Sequence, residues 1–339
     1  MADVLAGRRV LLVLAVAAGG VGVHVRGLAA ALVERAAHVQ VACPQATQDV
    51  FGFPGHVRLE VGTGARPLRD LAAVRALRGL PADVVHAHGL RAGSLAALAG
   101  RRPLVVSWHN ARLASGRTGH QALERLVARR ATITLAASPD LAETARRCGG
   151  RDVRTLPVAA PPLVPTGRDP GLGHPLVLAV GRLTAQKGYE VLLDALPAFP
   201  DAVVAVAGDG PMEAELRARA PQLRLLGRRD DVADLYAAAD VVVLPSVWEA
   251  RSLTAQEALL AGRPLVATRV GALPELLGDG AVLVPPGDPV ALGAAVRGLL
   301  DDPAAAARLA ARGQAVAAGW PTEQDTAQQV AAVYGELLA

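Results

Sequence analysis

Short, unbroken apolar runs alternate with amphipathic stretches along the whole chain. In the first half the runs span residues 10–16, 39–42, 84–86, 104–107 and 132–136. In the second half they span 176–180, 202–207, 223–226, 241–244, 265–267 and 281–284. Runs this short have strand length, and a strand apolar at every position is buried on both faces. Between them, residues 25–35, 70–78, 141–147 and 254–261 space their apolar side chains as helices do. Strand and helix in alternation predict an α/β protein, with parallel sheets covered by helices on both sides.

Residues 157–175 interrupt this pattern with six prolines, three glycines and no period. Such a stretch reads as a linker. The expected organisation is therefore two doubly wound, Rossmann-like domains at residues 1–160 and 176–319, joined by a linker at 161–175. A helix within residues 320–339, after Trp320-Pro321, is expected to cross back to the first domain. Ligands in such sheets bind beyond the carboxyl ends of the strands. Two such domains face to face would put both sets of strand-end loops on one cleft.

Composition narrows the function classes. At 339 residues, 52% hydrophobic and 19% charged, the chain is a packed protein of two-domain size. Aromatic residues make up only 3%, which argues against stacking-based recognition of single-stranded nucleic acid. Cys43 and Cys148 form neither a metal spacing nor a disulfide framework, which fits a reducing cytoplasm. The opening residues 1–7 are too short and polar for a signal peptide, and the run from Val10 is too short to span a membrane. The net charge of +4 hides an asymmetry. Residues 1–165 carry 21 arginines against 10 acidic residues, and the remainder carries 14 basic against 21 acidic. A basic first half suits nucleic acid, an anionic acceptor or peripheral contact with the inner face of a membrane. Solvated arginines explain the same count.

One basic residue stands apart. The chain has 34 arginines and a single lysine, Lys187. Arginine is a planar fork and lysine a compact point charge, so the surviving lysine marks a place where the two do not interchange. It lies in Gly181-Arg182-Leu183-Thr184-Ala185-Gln186-Lys187-Gly188, between an apolar run and a helical pattern. A strand, a glycine turn, two cations and a helix start suit a phosphate site, and a lysine left by chance on a solvated loop explains the same residue. A second constellation follows the run ending at Leu244, with Glu249 on the loop and Glu257 in the next helix. The amides of Ser252, Leu253 and Thr254 would be free at that helix start and aimed at an anion. A carboxylate inside the helix suits a vicinal diol, as in dinucleotide folds. Each glutamate also fits a capping box, Ser246 with Glu249 and Thr254 with Glu257.

The wider motif set resembles the family 4 retaining glycosyltransferases, which have the two-Rossmann-domain architecture called GT-B. The resemblance rests on Glu249-x7-Glu257, residues 258–268, Gly271, Pro274-Glu275 and Val284-Pro285-Pro286-Gly287-Asp288. Gly181-Arg182-Leu183 with Gln186-Lys187-Gly188, Gly208-Asp209-Gly210-Pro211 and Leu226-Gly227-Arg228 extend it. In the first half, Gly19-Gly20-Val21-Gly22, residues 83–88 and Trp108-His109-Asn110 match more loosely. The resemblance implies a metal-independent hexosyltransferase without a cofactor. It would move a sugar from a UDP- or GDP-sugar to an acceptor hydroxyl with retention. The acceptor is left open among small anionic, polymeric and lipid-linked compounds. Arg182 and Lys187 would neutralise the diphosphate, with Gly208 and Arg228 beside the donor. Glu257 would hold the ribose, Glu249 the transferred sugar, and residues 252–254 the distal phosphate. His109 would lie near the anomeric carbon, and Gly20 and Gly22 would let backbone approach the phosphates or acceptor.

The chain departs from the family where many members read Glu-Gly-x-Gly: Ala250 and Ser252 replace the glycines. That keeps a non-catalytic nucleotide-sugar binder as a rival, beside an epimerase on the same architecture. A nicotinamide dehydrogenase fits less well, because Val25 stands where the third fingerprint glycine belongs. His24 could face the diphosphate. His86 and His88 are read as pointing to opposite faces, leaving no third ligand for a metal.

Overall fold

The computed structural model describes residues 4–62, 64, 66–101, 103–109 and 118–339, so Arg102 and Asn110 lie outside the described residues. The chain forms two compact units, Met1–Ala159 with Pro321–Ala339, and Ala160–Trp320.

The first unit is built on seven strands: β1 (Arg9–Leu14), β2 (His38–Cys43), β3 (His56–Arg58), β4 (Val84–His88), β5 (Leu104–Trp108), β6 (Ile133–Ala136) and β7 (Val153–Thr155). They are all parallel, in the order β3-β2-β1-β4-β5-β6-β7. Alternate residues of β1 feed two cores. Val10, Leu12 and Leu14 join Val25, Leu28 and Leu32 of the helix Gly20–Glu34 on one face. Leu11 and Val13 join Val85, Leu95 and Trp108 on the other. The helix Glu323–Leu338 belongs to this unit and buries Val330, Ala331 and Tyr334 in the first core. A reciprocal capping box between Thr322 and Asp325 starts it.

The second unit holds β8 (Leu176–Val180), β9 (Val203–Ala207), β10 (Arg224–Gly227), β11 (Val241–Leu244), β12 (Leu265–Thr268) and β13 (Val282–Val284). They pair in parallel in the order β10-β9-β8-β11-β12-β13. The proline-rich residues 160–175 have no regular structure and are fastened to this unit. The Asp234 carboxylate accepts from the Thr166 and Gly167 amides at 2.7 and 3.0 Å and from the Thr166 hydroxyl at 2.7 Å.

All eleven expected strands are present, but β3 and β7 are additions. Each is a three-residue edge strand with half-buried or exposed positions, so it lacks an apolar run. The first helix also begins earlier than its apolar spacing suggests, at Gly20, so the glycine-rich stretch forms its first turn.

Chain order reverses between β1 and β4 in one sheet and between β8 and β11 in the other. Beyond such switch points the loops diverge and leave a crevice for ligands.

Candidate functional site

In the second unit the switch point is lined by the turn after β8 and the loop after β11. These are the stretches that carry Arg182, Lys187, Glu249 and the start of the helix Leu253–Leu260. Glycines let the strand-end loops interlock. A Cβ on Gly208 would lie 2.0 Å from the Gly181 carbonyl oxygen, and one on Gly271 would lie 1.9 Å from that of Glu249. Both glycines have positive φ, at 148° and 51°, so two requirements coincide at each.

Lys187 and Glu249 come together as an ion pair, with Nζ 2.6 Å from Oε1. Glu249 is buried and also accepts from the Ser246 hydroxyl at 2.8 Å. Burial of a charge needs such compensation. Nearby, Gln186 and the 247–248 segment exchange two hydrogen bonds that fasten the Lys187 turn to the Glu249 loop.

Glu257 lies on the half-buried face of its helix, where the Tyr236 hydroxyl donates to Oε2 at 3.0 Å. Burial pushes its carboxyl up, and the Tyr236 hydrogen bond and the Lys187 charge pull it back. Ser252 caps this helix by accepting from the Ala255 amide at 3.3 Å. Neither proposed capping box forms: the Ser246 side chain holds Glu249, and the Thr254 hydroxyl donates to the Val180 carbonyl at 3.2 Å. The Leu253 and Thr254 amides remain at the helix start, where unpaired N–H groups favour an anion. Arg182 and Arg228 are exposed just beyond β8 and β10, and Gly208 follows β9.

Ala250 and Ser252 both keep negative φ, since Ala36 is the one non-glycine residue with positive φ among the described residues. The loop therefore runs through these two positions without the left-handed conformation that glycine serves. Tyr236 and Ser246 were missed by sequence reasoning. No local spacing ties Tyr236 to Glu257, 21 residues on, and the spacing of Ser246 and Glu249 points to a capping box instead.

The first unit gathers a different group at its own switch point: His24, His86, His88 and His109, all buried. His86 and His88 are two residues apart on β4 and therefore share a face. Their ring centroids are 4.1 Å apart, which corrects the opposite-face expectation. His86 is pinned between the Tyr334 hydroxyl at 2.6 Å and the Ser107 hydroxyl at 2.7 Å. His88 Nδ1 meets His109 Nε2 at 3.2 Å. The His24 ring lies edge-on to both, with centroids 5.7 and 5.6 Å away. One nitrogen from each of His24, His88 and His109 lies within 4.8 Å of the other two, so His24 brings a third imidazole beside His88. Burial lowers His24 to about 4 and, with His24 nearby, His109 to about 3. Burial and the neighbouring rings hold His86 and His88 well below the usual range. All four are neutral imidazoles near pH 7.

Gly22 has a packing role. A Cβ there would lie 2.2 Å from the Phe51 ring, so the helix and Phe51 need the bare backbone. Gly20 starts the helix and is exposed.

Two family models match the chain: a glycosyl transferase 4-like domain over residues 19–161 and glycosyl transferases group 1 over residues 174–302. D-inositol 3-phosphate glycosyltransferase of Xylanimonas cellulosilytica is 34% identical over 286 residues, covering 70% of this chain and 69% of its own. The chain belongs to the family 4 glycosyltransferases. Glycogen synthase of Mycobacterium tuberculosis is 38% identical over 192 residues, 52% of this glycosyltransferase chain. The match spans 45% of that relative's length. HepE of Anabaena, solved with UDP-glucose, shares the fold with a TM-score of 0.82 at 22% identity, covering 97% of this chain and 100% of its own. Two parallel-sheet Rossmann-like units of this kind are the GT-B fold.

Proposed function

We propose that this family 4 member is a hexosyltransferase that moves a sugar from a nucleotide diphosphate sugar to an acceptor hydroxyl. The observation that carries this reading is the Lys187–Glu249 ion pair, set at the second unit's switch point where the Lys187 charge also acts on Glu257. When the donor's glycosidic bond breaks, negative charge grows on the departing diphosphate. Fixed cations and amides stabilise that charge without reorganising. Lys187 and Arg182 supply the cations and Leu253 and Thr254 the amides, so diphosphate departure needs no metal. Glu257 accepts from the ribose hydroxyls. Glu249 holds Lys187 in place and accepts from hydroxyls of the transferred sugar. To His109 we assign turnover rather than donor affinity.

We assign retention of configuration on the family resemblance. UDP-sugars are the first donors to test, since HepE was solved with UDP-glucose, and GDP-sugars are the second. The excess of arginine in residues 1–165 supports an anionic acceptor, free or lipid-linked, and a cytoplasmic protein that touches an anionic membrane face. Among the described residues no helix is long and apolar enough to cross a membrane.

Calorimetric titration with UDP, GDP and ADP tests the donor site. One diphosphate should bind, and Lys187→Ala should weaken it at least tenfold, an effect of about 1.4 kcal/mol or more. Unchanged affinity in that variant would remove the site assignment. Incubation with the matching sugar donor, with and without acceptor, then separates transfer from epimerisation, and proton NMR of the new linkage reads the anomeric outcome.

A further inference from the structure

We propose that the imidazoles of His24, His88 and His109 form a site for one borderline divalent ion of the late first-row series, with zinc(II) as the ion to test. Three neutral imidazoles select zinc, copper, nickel or ferrous iron over magnesium or calcium, which prefer oxygen. Two imidazole nitrogens on one tetrahedral zinc stand about 3.3 Å apart, given Zn–N bonds of about 2.0–2.1 Å. His88 Nδ1 and His109 Nε2 are already 3.2 Å apart. The nitrogens of the trio lie within 4.8 Å of one another, so no pair has to close by more than about 1.5 Å to reach that spacing.

The surroundings fit a built site. The three residues are 6%, 3% and 9% exposed. His88 Nε2, the ring nitrogen that faces away from His109, is buried without a hydrogen-bond partner among the described residues. His86, tied to Ser107 and Tyr334, lies against His88 and holds its ring orientation. Three protein nitrogens leave the fourth tetrahedral position open to water or another ligand.

An ion seated there occupies a His109 nitrogen and takes that residue out of turnover, so zinc acts as an inhibitor. This second step rests on the function proposed above, whereas ion binding does not.

Chelator-stripped full-length protein is titrated with cobalt(II), read by visible absorption, and with zinc in competition with a chromophoric chelator. The expected result is one ion per chain with the intense absorption of tetrahedral cobalt. Affinity should be at least tenfold weaker in His24→Ala and in His88→Gln. Circular dichroism melts establish that each variant is folded, with His24→Gln replacing His24→Ala if the latter unfolds. No stoichiometric binding, or wild-type affinity in both variants, overturns the site. In a separate transfer assay, zinc should inhibit the wild type. The His24 variant, scored against its own metal-free rate, should need at least ten times more zinc. Cobalt binding without inhibition by zinc overturns the link to turnover. Absence of transfer in the metal-free wild type would instead count against the proposed function and leave the binding result intact.

Discussion

Lys187 ends 2.6 Å from a carboxylate that is almost sealed from water, and the two groups depend on each other. Removing the ammonium strands a buried charge on Glu249, which costs up to about 3–5 kcal/mol in such pairs. Lys187→Ala should therefore lower thermal stability as well as donor affinity. Lys187→Arg is the sharper test. It keeps the charge but places a wide fork where a point charge fits, so the diphosphate should still bind at least tenfold more weakly by calorimetry. Full recovery by arginine would mean that charge alone is required. At this scale the sequence is informative where chemistry is rare: a lone lysine and two spaced glutamates stood out, and the structure places Lys187 on Glu249. It is silent where a partner is brought by another element. Tyr236 reaches Glu257 from a different helix, and His24 meets His88 and His109 only because β1, β4 and β5 are neighbours in the sheet.

At the scale of elements, interior strands were readable because burial on both faces leaves an unbroken apolar run. Edge strands β3 and β7 are short and carry polar residues, so they have no such signature. The helix Gly20–Glu34 was readable in its apolar stripe but not in its start, because glycine is a weak helix signal. Its Gly22 packs on Phe51, and an added Cβ would overlap the ring at 2.2 Å. Gly22→Ala should cost about 1–3 kcal/mol, as overpacking does, read as a lower urea midpoint. Phe51→Leu in the same chain should recover part of that loss. Gly271→Ala should be worse, because its Cβ meets backbone rather than a side chain, at 1.9 Å and at φ 51°. Partial rescue at Gly22 and none at Gly271 by side-chain substitution would distinguish the two contacts.

The molecule has two units whose stability depends on different conditions. Four neutral histidines lie in the first unit. Below a pH of about 6.5 the unfolded chain takes up protons on them, while the native state resists until about 4 at His24 and about 3 at His109. Stability must therefore fall as pH drops through that window, by up to about 1.4 kcal/mol per pH unit for each histidine. Urea midpoints measured with chelator between pH 7 and 4.5 should show this slope, and His24→Gln should flatten it. An unchanged slope would place the acid sensitivity elsewhere. The helix Glu323–Leu338 adds a long-range tie, since truncation after Trp320 removes Tyr334 from the first core and from His86. Such a truncation should lower the melting of the first unit and leave the second unit's cores chemically intact, as calorimetry would show by two separated transitions. The lone lysine also matters at this scale. Reductive methylation with ¹³C-formaldehyde places a label on Lys187 and on no other side-chain amine. A single NMR resonance, distinct from that of the α-amino group, then follows the ion pair with Glu249 as nucleotides are added. The protein thus carries an intrinsic spectroscopic reporter at its own candidate site.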